Sequence, residues 1–151
     1  MTIAHHDFTI ARTYAYTPAQ VFEAFADPEK KKLWFGASDN LTSTFGTFDF
    51  RVGGTESAAS EHPGGVRTTF DADYVEIVPA ERIVYTYRMT MNDVPLSASA
   101  TSIVLEPVEG GTLLTFTEHG IHLDGESGGT AREGGTLQLM DLLGKALDAI
   151  G

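Results

Sequence analysis

The chain has 151 residues, a length typical of one domain, and its apolar fraction of 42% and charged fraction of 21% exclude wholesale disorder. It contains no cysteine, which excludes disulfides, thiol catalysis and thiolate metal sites and favours a cytoplasmic location. A net charge of −11 disfavours nucleic acid and anionic membranes as partners, and no apolar run approaches the ~20 residues of a membrane span.

The N-terminal part of the chain predicts one strand followed by two short helices. Apolar and polar residues alternate over 8–14, as in a strand with one buried face. Residues 17–20 (TPAQ) have the pattern of a capping box, and Asp27 followed by proline begins a second short helix that ends at Gly36. The lysines at 30–32 are interpreted as the solvated face of that helix.

In the middle of the chain, apolar and polar residues alternate with the period of two that is typical of strands. Turns rich in Gly, Pro, Asn and Asp separate these segments at hairpin spacing, which predicts an antiparallel sheet. The predicted strands cover residues 43–52, 55–60, 66–78, 82–91, 97–106 and 112–119.

The C-terminal part predicts a long helix. Residues 125–129 (GESGG) are expected to form a mobile loop, and residues 130–133 (TARE) a second capping box. The apolar residues that follow cover so much of the helix that burial along most of its length is expected. The order of elements therefore predicts an α+β fold, with helices on one face of a curved antiparallel sheet.

This order, with the residues at its joints, resembles the helix-grip fold of the START-like (SRPBCC) superfamily, in the branch of the activator of heat-shock-protein-90 ATPase. The resemblance implies one START-like domain over residues 1–151, with about six or seven strands around the C-terminal helix. Family members commonly carry a Gly-Trp pair at the start of the last helix, where this chain has Gly135-Thr136, so the rim of the pocket is expected to differ. The matching segments are 16–22 (YTPAQVF), 27–28 (DP), 33–36 (LWFG), 49–54 (DFRVGG), 75–87 (VEIVPAERIVYTY), 111–114 (GTLL), 119–120 (HG) and 139–143 (LMDLL).

Members of this branch resemble small-molecule carriers, chaperone co-factors and polyketide-processing proteins, so the fold alone leaves the function open. We expect binding of a small hydrophobic molecule in a cavity between the sheet and the C-terminal helix. One alternative is a chaperone co-factor or another protein-binding module, and a second is an enzyme of the cyclase or hydrolase type. No cofactor and no catalytic residue is predicted, and a homodimer is an expectation from base rates alone.

The predicted pocket walls are mainly aromatic, methionine and leucine side chains, which give an adaptable surface. Residues 85, 87, 89 and 91 share one face of a predicted strand, and two arginines on the opposite face indicate that this face points inward. The complete predicted set is Trp34, Phe35, Phe48, Phe50, Phe70, Tyr85, Tyr87, Met89, Met91, Phe116, Glu118, Leu139 and Leu143.

Glu118 is the polar member of this set. It shares a strand face with Phe116 and would act as an acid or base if it entered the cavity beside Tyr87 or Arg51. The favoured interpretation is instead a solvated carboxylate at the mouth of the pocket or on the outer surface. Trp34 is interpreted with equal weight as core and as pocket wall.

Two pairs of histidines were considered as metal ligands. His5 and His6 are adjacent in a predicted strand and point in opposite directions, which disfavours a shared metal ion. His119 and His122 lie three residues apart at a strand end and would need further ligands at fixed geometry. We therefore predict no metal site.

Overall fold

The computed structural model describes residues 2–38 and 40–150. All seven strands form one antiparallel sheet in the order β1-β7-β6-β5-β4-β3-β2. This confirms the predicted α+β helix-grip architecture, with seven strands, two short helices after the first strand and a long last helix. The elements are β1 (Ala4–Tyr14), α1 (Pro18–Ala26), α2 (Pro28–Lys31), β2 (Thr42–Phe48), β3 (Thr55–Glu61), β4 (Arg67–Val78), β5 (Arg82–Met91), β6 (Val94–Val108), β7 (Gly111–His122) and α3 (Glu126–Ile150).

The two short helices begin where the sequence predicts. The Thr17 side chain accepts a hydrogen bond from the backbone N–H of Gln20, and the Gln20 side chain accepts one from the backbone N–H of Thr17. Asp27 caps α2 through its side chain. Helix α2 is shorter than predicted, because the chain continues as turns from its last residue to Gly36, where φ is +70°. None of the helices in the described ranges has the length and apolarity to cross a membrane.

The hairpin between β5 and β6 shows how turn residues set the register of the sheet. Asn92 and Asp93 both have positive φ, 50° and 66°, as a two-residue hairpin turn requires. The turn sets the pairing of Met91 with Val94, and an irregularity between Thr90 and Met89 shifts the register by one residue before Ile83 pairs with Ile103.

One predicted strand is too long. Strand β2 ends at Phe48, and residues 49–54 form a tight loop in which Gly54 donates a backbone hydrogen bond to Arg51. The prediction that Phe50 and Val52 continue the strand is therefore wrong. Phe50 turns inward and packs on Tyr74 with 5.0 Å between ring centroids, whereas 57% of Val52 is exposed.

The prediction for the start of the last helix is also wrong. Helix α3 begins at Glu126, so residues 128–133 belong to the helix and form neither a mobile loop nor a capping box. Gly129 is buried against β1, and a Cβ atom placed on it would lie 2.5 Å from Cβ of His6. Gly129 allows close contact between the helix and β1 because it has no side chain. In the sequence alone, the same glycine is typical of a loop.

Helix α3 is buried along one stripe and not around most of its surface as predicted. The Tyr14 hydroxyl of β1 donates a buried hydrogen bond of 2.7 Å to the carbonyl of Met140 and so fixes the helix on the sheet. Leu137, on another face, is 40% exposed. The stripe packed into the core consists of Gly129, Thr136, Met140, Leu143, Ala146 and Leu147.

Two Gly→Ala variants of the same helix test this packing. Gly129→Ala should lower the free energy of unfolding by about 1–3 kcal/mol, because the new methyl group overlaps His6. Gly134→Ala should raise it by about 0.5–1 kcal/mol, since alanine favours the helix and open space surrounds this position. Urea denaturation followed by circular dichroism measures both. A stabilising effect of Gly129→Ala would show that the helix does not lie this close to β1.

Candidate functional site

A cavity of ≈ 200 Å³, which we name the chamber, lies between one half of the sheet and α3. On the sheet side, Phe45, Ala58, Phe70 and Met89 from β2 to β5 provide apolar surface, and hydroxyl groups lie between them on Ser43, Ser60, Thr68 and Thr69. The segment that follows α2 closes a further side through Phe35, Gly36, Ala37, Ser38 and Leu41. The chamber therefore has the largely apolar wall that is typical of small-molecule sites.

One face of α3 forms the remaining wall of the chamber. Arg132, Gly135, Leu139 and Leu142 recur at spacings of three and four residues, so they lie on the same face of the helix. This face lies beside the stripe that packs into the core. A Cβ atom placed on Gly135 would meet only Nη1 of Arg132, at 4.0 Å, so the missing side chain leaves part of the chamber open.

A smaller crevice of ≈ 20 Å³ lies next to the chamber, deeper in the core. Phe35, Arg132 and Leu139 line both cavities and separate them. A volume of this size holds roughly one water molecule. The crevice is bounded further by Phe25, Lys31, Trp34, Phe50, Tyr74, Ile83, Tyr85, Phe116 and Met140.

A buried polar network fixes Arg132 at the boundary between the two cavities. Its Nε donates to the Tyr87 hydroxyl at 2.5 Å and lies 3.5 Å from Oε2 of Glu118. Tyr87 in turn donates to Oε1 of Glu118 at 2.9 Å, and the Thr101 hydroxyl donates to the same oxygen at 3.0 Å. The network joins α3 to strands β5, β6 and β7 through charge-assisted hydrogen bonds.

The burial of Glu118 contradicts the interpretation of this residue as a solvated carboxylate. Its exposure is 0%, and it lies beside Tyr87, as the alternative interpretation required. Arg51, the other suggested neighbour, has a side chain that is 67% exposed and forms an ion pair with Asp49 instead. Glu118 lines neither cavity, because Arg132 and Tyr87 cover it.

The protonation states in this network follow from burial and charge. The pKa of Tyr87 is raised to about 12, mainly by burial, while Arg132 opposes the shift and the nearby Glu118 carboxylate contributes to it. Burial disfavours the charge of Arg132, but Tyr87 and Glu118 outweigh that effect and raise its pKa. Near neutral pH, Tyr87 is therefore a neutral hydrogen-bond donor and Arg132 is a cation.

A second buried ion pair lies behind the crevice. Nζ of Lys31 donates to Oε1 of Glu56 at 2.6 Å, and the Tyr74 hydroxyl donates to the same oxygen. Burial lowers the pKa of Lys31, and Glu56 only partly opposes that shift. The interpretation of the lysines at 30–32 as a solvated face is thus wrong for Lys31, whose side chain is 12% exposed, although Lys32 is 44% exposed.

The structure brings most of the predicted wall residues to the two cavities. Phe35, Phe70, Met89 and Leu139 line the chamber. Trp34, Phe50, Tyr85 and Phe116 line the crevice, together with Phe35 and Leu139. Trp34 is also a core residue, since it is 2% exposed and its Nε1 donates to the carbonyl of Ala24 at 3.0 Å.

Other predicted residues lie elsewhere. Leu143 is fully buried in the core stripe of α3, and Tyr87 lies with Glu118 beneath Arg132. Phe48 borders a separate shallow cavity of ≈ 20 Å³ beside the Lys31 side chain. Met91, at the end of β5, is 40% exposed and borders none of the cavities found among the described residues.

Sequence reasoning missed three residues that shape the site, namely Arg132, Gly135 and Lys31. Arg132 was assigned to a helix cap, although its separation of seven residues from Leu139 places both on one helix face. The Gly135-Thr136 pair predicts a changed rim of the pocket but no role for Gly135 itself as part of the wall. No local signal distinguishes Lys31 from its neighbours, because its burial depends on Glu56 in the distant strand β3.

Thr136, the residue from which a different pocket rim was expected, lies in the core and does not line the chamber. It is fully buried, and its hydroxyl donates to the carbonyl of Arg132 at 2.9 Å. Because α3 begins at Glu126, the Gly135-Thr136 pair lies well inside the helix and not at its start.

The histidines at the end of β7 lie on opposite faces of the sheet. His119 points outward and lies 3.1 Å from Asp7, whereas His122 is 3% exposed and lies over Gly120 on the inner face. They cannot share one metal ion in this arrangement. In residues 2–38 and 40–150, no group of three or more His, Asp or Glu side chains has the geometry to hold a metal ion.

The convex face of the sheet carries a wider and more open depression of ≈ 510 Å³. Its floor includes Ala98 and Ala100, and its sides carry charged groups such as Asp71, Asp73 and Arg88. An open, charged depression gives a hydrophobic molecule little burial, so the smaller chamber is the better candidate site.

Comparison with known proteins identifies relatives along almost the whole chain. The family model described as Activator of Hsp90 ATPase homolog 1-like protein matches residues 15–148. The crystal structure of the Mll3558 protein from Rhizobium loti is 41% identical, with a TM-score of 0.88 over 97% of this chain and 99% of that chain. A putative uncharacterized protein from Rhizobium leguminosarum is 35% identical, with a TM-score of 0.89 over 98% of this chain and 97% of that chain.

A more distant structure has a similar fold. The AHSA1-like protein from Aeromonas hydrophila is 17% identical, with a TM-score of 0.71 over 96% of this chain and 94% of that chain. At this identity the similarity concerns the fold alone. Among curated proteins, none matches the chain significantly.

Two Tyr→Phe variants test the buried network. Tyr87→Phe should lower the free energy of unfolding by about 1–3 kcal/mol, because Glu118 loses a donor and Arg132 loses its acceptor. Tyr85→Phe is the matched control, since the Tyr85 hydroxyl makes no side-chain hydrogen bond in the described part of the chain. This variant should lower the free energy of unfolding much less than Tyr87→Phe does. Chemical denaturation measures both values. Equal losses would show that the network does not hold the helix on the sheet.

The raised pKa of Tyr87 also predicts an alkaline limit to stability. Because its pKa is higher in the folded state, the stabilising effect is complete below the ordinary value near 10 and is lost as the pH rises through about 12. Burial raises the pKa values of Tyr14 and Tyr74 in the same direction. Denaturation at increasing pH should therefore show a shallower alkaline decline for Tyr87→Phe than for the wild type. Parallel curves would contradict this assignment.

Proposed function

The chain belongs to the family described as Activator of Hsp90 ATPase homolog 1-like proteins, with the helix-grip fold of the START-like superfamily, and we propose that it binds a small hydrophobic molecule in the chamber. The observation that carries this proposal is the chamber itself, a space of ≈ 200 Å³ between the sheet and α3. Binding in this space would involve Phe35, Phe70, Met89 and Leu139 as apolar contacts.

The cost of an empty chamber supports the proposal. At ~24 cal/mol per Å³, a dry void of this volume would cost about 5 kcal/mol, as much as the whole stability of many domains. Filling by water relieves part of this cost, because hydroxyl and amide groups such as those of Ser60 and Gln138 line part of the chamber, but the side chains of Phe70 and Met89 offer water no strong hydrogen bond. A hydrophobic ligand gains free energy from the same wall.

The volume also indicates the size of the ligand. An apolar cavity of about 150 Å³ binds benzene, so the chamber suits a molecule built around a single ring. Typical pockets for larger ligands hold roughly 300 Å³ or more. The flexible side chain of Met89 allows some adjustment to ligand shape.

The alternative functions have less support in the structure. As a catalytic acid or base, Glu118 would have to reach a substrate, but it is fully buried, bonded to Tyr87 and Thr101, and lines neither cavity. A chaperone co-factor role rests on the family description alone. Among the most exposed apolar side chains, Val94 lies at the start of β6 and Val52 in the loop that follows β2.

Fluorobenzene, a neutral single-ring probe, tests the proposal by ¹⁹F NMR titration. Leu139→Trp places a larger side chain in the chamber and should weaken binding at least tenfold, or about 1.4 kcal/mol. Leu137→Trp is the matched control on an exposed face of the same helix and should bind like the wild type. Undetectable binding to the wild type, or equal binding to both variants, would contradict the proposal.

A further inference from the structure

We propose that the ligand of the chamber is an apolar acid, whose carboxylate lies against the guanidinium of Arg132 at the inner end of the chamber. This inference rests on the proposed function and specifies the chemical class of the ligand. The rest of the molecule would lie along the apolar wall formed by Phe70, Met89 and Leu139.

The charges around the two cavities support an anionic ligand. Arg132 is the only charged side chain among the described residues that line the chamber. Arg132 and Lys31 are likewise the only charged ones that the described residues contribute to the crevice. The chain has 21 acidic and 10 basic residues. The described residues of these walls instead supply two cations and no carboxylate, which is the opposite of the average composition.

The orientation of the two buried ion pairs explains this bias. Glu118 and Glu56 each pair with one of the cations, and both carboxylates lie behind it, outside the linings of the chamber and the crevice. Each pair is thus buried with its positive end toward the open space. An anion in that space meets the cations first.

The guanidinium of Arg132 has free hydrogen-bonding capacity on the chamber side. Its contacts with Tyr87 and Glu118 both involve Nε. Neither Nη nitrogen donates to an acceptor within residues 2–38 or 40–150, and Nη1 lies beside the chamber wall at Gly135. The planar guanidinium group therefore presents N–H donors in the geometry that suits a carboxylate.

Arg132 is better placed than Lys31 to hold the carboxylate. Lys31 borders the crevice and the shallow cavity at Phe48 but not the chamber, and each of these spaces, at ≈ 20 Å³, has room for roughly one water molecule. Its ammonium also already donates to Glu56. Arg132 borders both cavities and remains a cation near neutral pH. The crevice then provides space for a water molecule between the bound carboxylate and Lys31.

The attraction between ligand and Arg132 acts at short range. At a distance, the positive charge of Arg132 is offset by Glu118, and the net charge of −11 repels anions. In direct contact, a charge-assisted hydrogen bond in a site of low dielectric strengthens binding by about 10- to 100-fold. A neutral ligand of the same shape gains less, because its polar end carries no charge.

The test compares 3-phenylpropanoate with its amide, 3-phenylpropanamide, by calorimetric titration of the wild-type protein at about pH 7, where carboxylates are ionised. The acid should bind at least about tenfold more tightly than the amide. Arg132→Gln should abolish this preference, so that the variant binds the acid no more tightly than the amide. Arg51→Gln, which removes the same charge from an exposed site, should keep the preference.

Each outcome of this test decides the inference. If the amide binds to the wild type as tightly as the acid, or if the preference survives in Arg132→Gln, the inference is wrong while the chamber remains a binding site. If the acid, the amide and fluorobenzene all fail to bind, the proposed function fails and the inference fails with it. Should Arg132→Gln not fold, the ratio of the two affinities in the wild type decides alone.

Discussion

A buried guanidinium is the constraint on which the geometry of the site depends. Arg132 lies in α3, and its charge is stabilised only where Tyr87 of β5 and Glu118 of β7 lie within reach. This requirement fixes how the helix crosses the sheet, together with the hydrogen bond from Tyr14 to the helix backbone. The core stripe of α3 then meets the sheet, and the neighbouring face at Gly135 and Leu139 remains over open space. The chamber is thus a consequence of how a charged residue is buried.

Most of the fold could be predicted from sequence, because its signals are local. The capping box at Thr17 and the turn at Asn92 need no information beyond a few neighbouring residues. The start of α3 could not be predicted in this way. Gly129 was read as part of a loop, whereas its role is to let the helix approach His6 of β1, a residue 123 positions earlier in the chain. Helix propensity depends on the residue and its near neighbours, so it cannot predict a contact between residues so far apart in the chain.

The residues of the site divide in the same way, into those with a local sequence signal and those whose burial depends on distant parts of the chain. The inward face of β5 was recognised from the arginines on its other side, and Tyr87 and Met89 do point inward. Local patterns predict an N-terminal capping box around Arg132 and a solvated helix face at Lys31. Their burial depends on carboxylates in other elements of the fold. The assignment of the predicted wall residues as ligand contacts stays a prediction until a ligand is observed.

A crystal structure of the wild-type protein grown with 3-phenylpropanoate tests the central claim most directly. The account predicts electron density for the ring between Phe70 and Leu139, with carboxylate oxygens within ~3 Å of the Nη nitrogens of Arg132. It also predicts that Tyr87 and Glu118 keep their contacts with Nε of Arg132. A chamber closed by Phe35 and Leu139, or a ligand found only in the charged depression on the convex face of the sheet, would contradict the account.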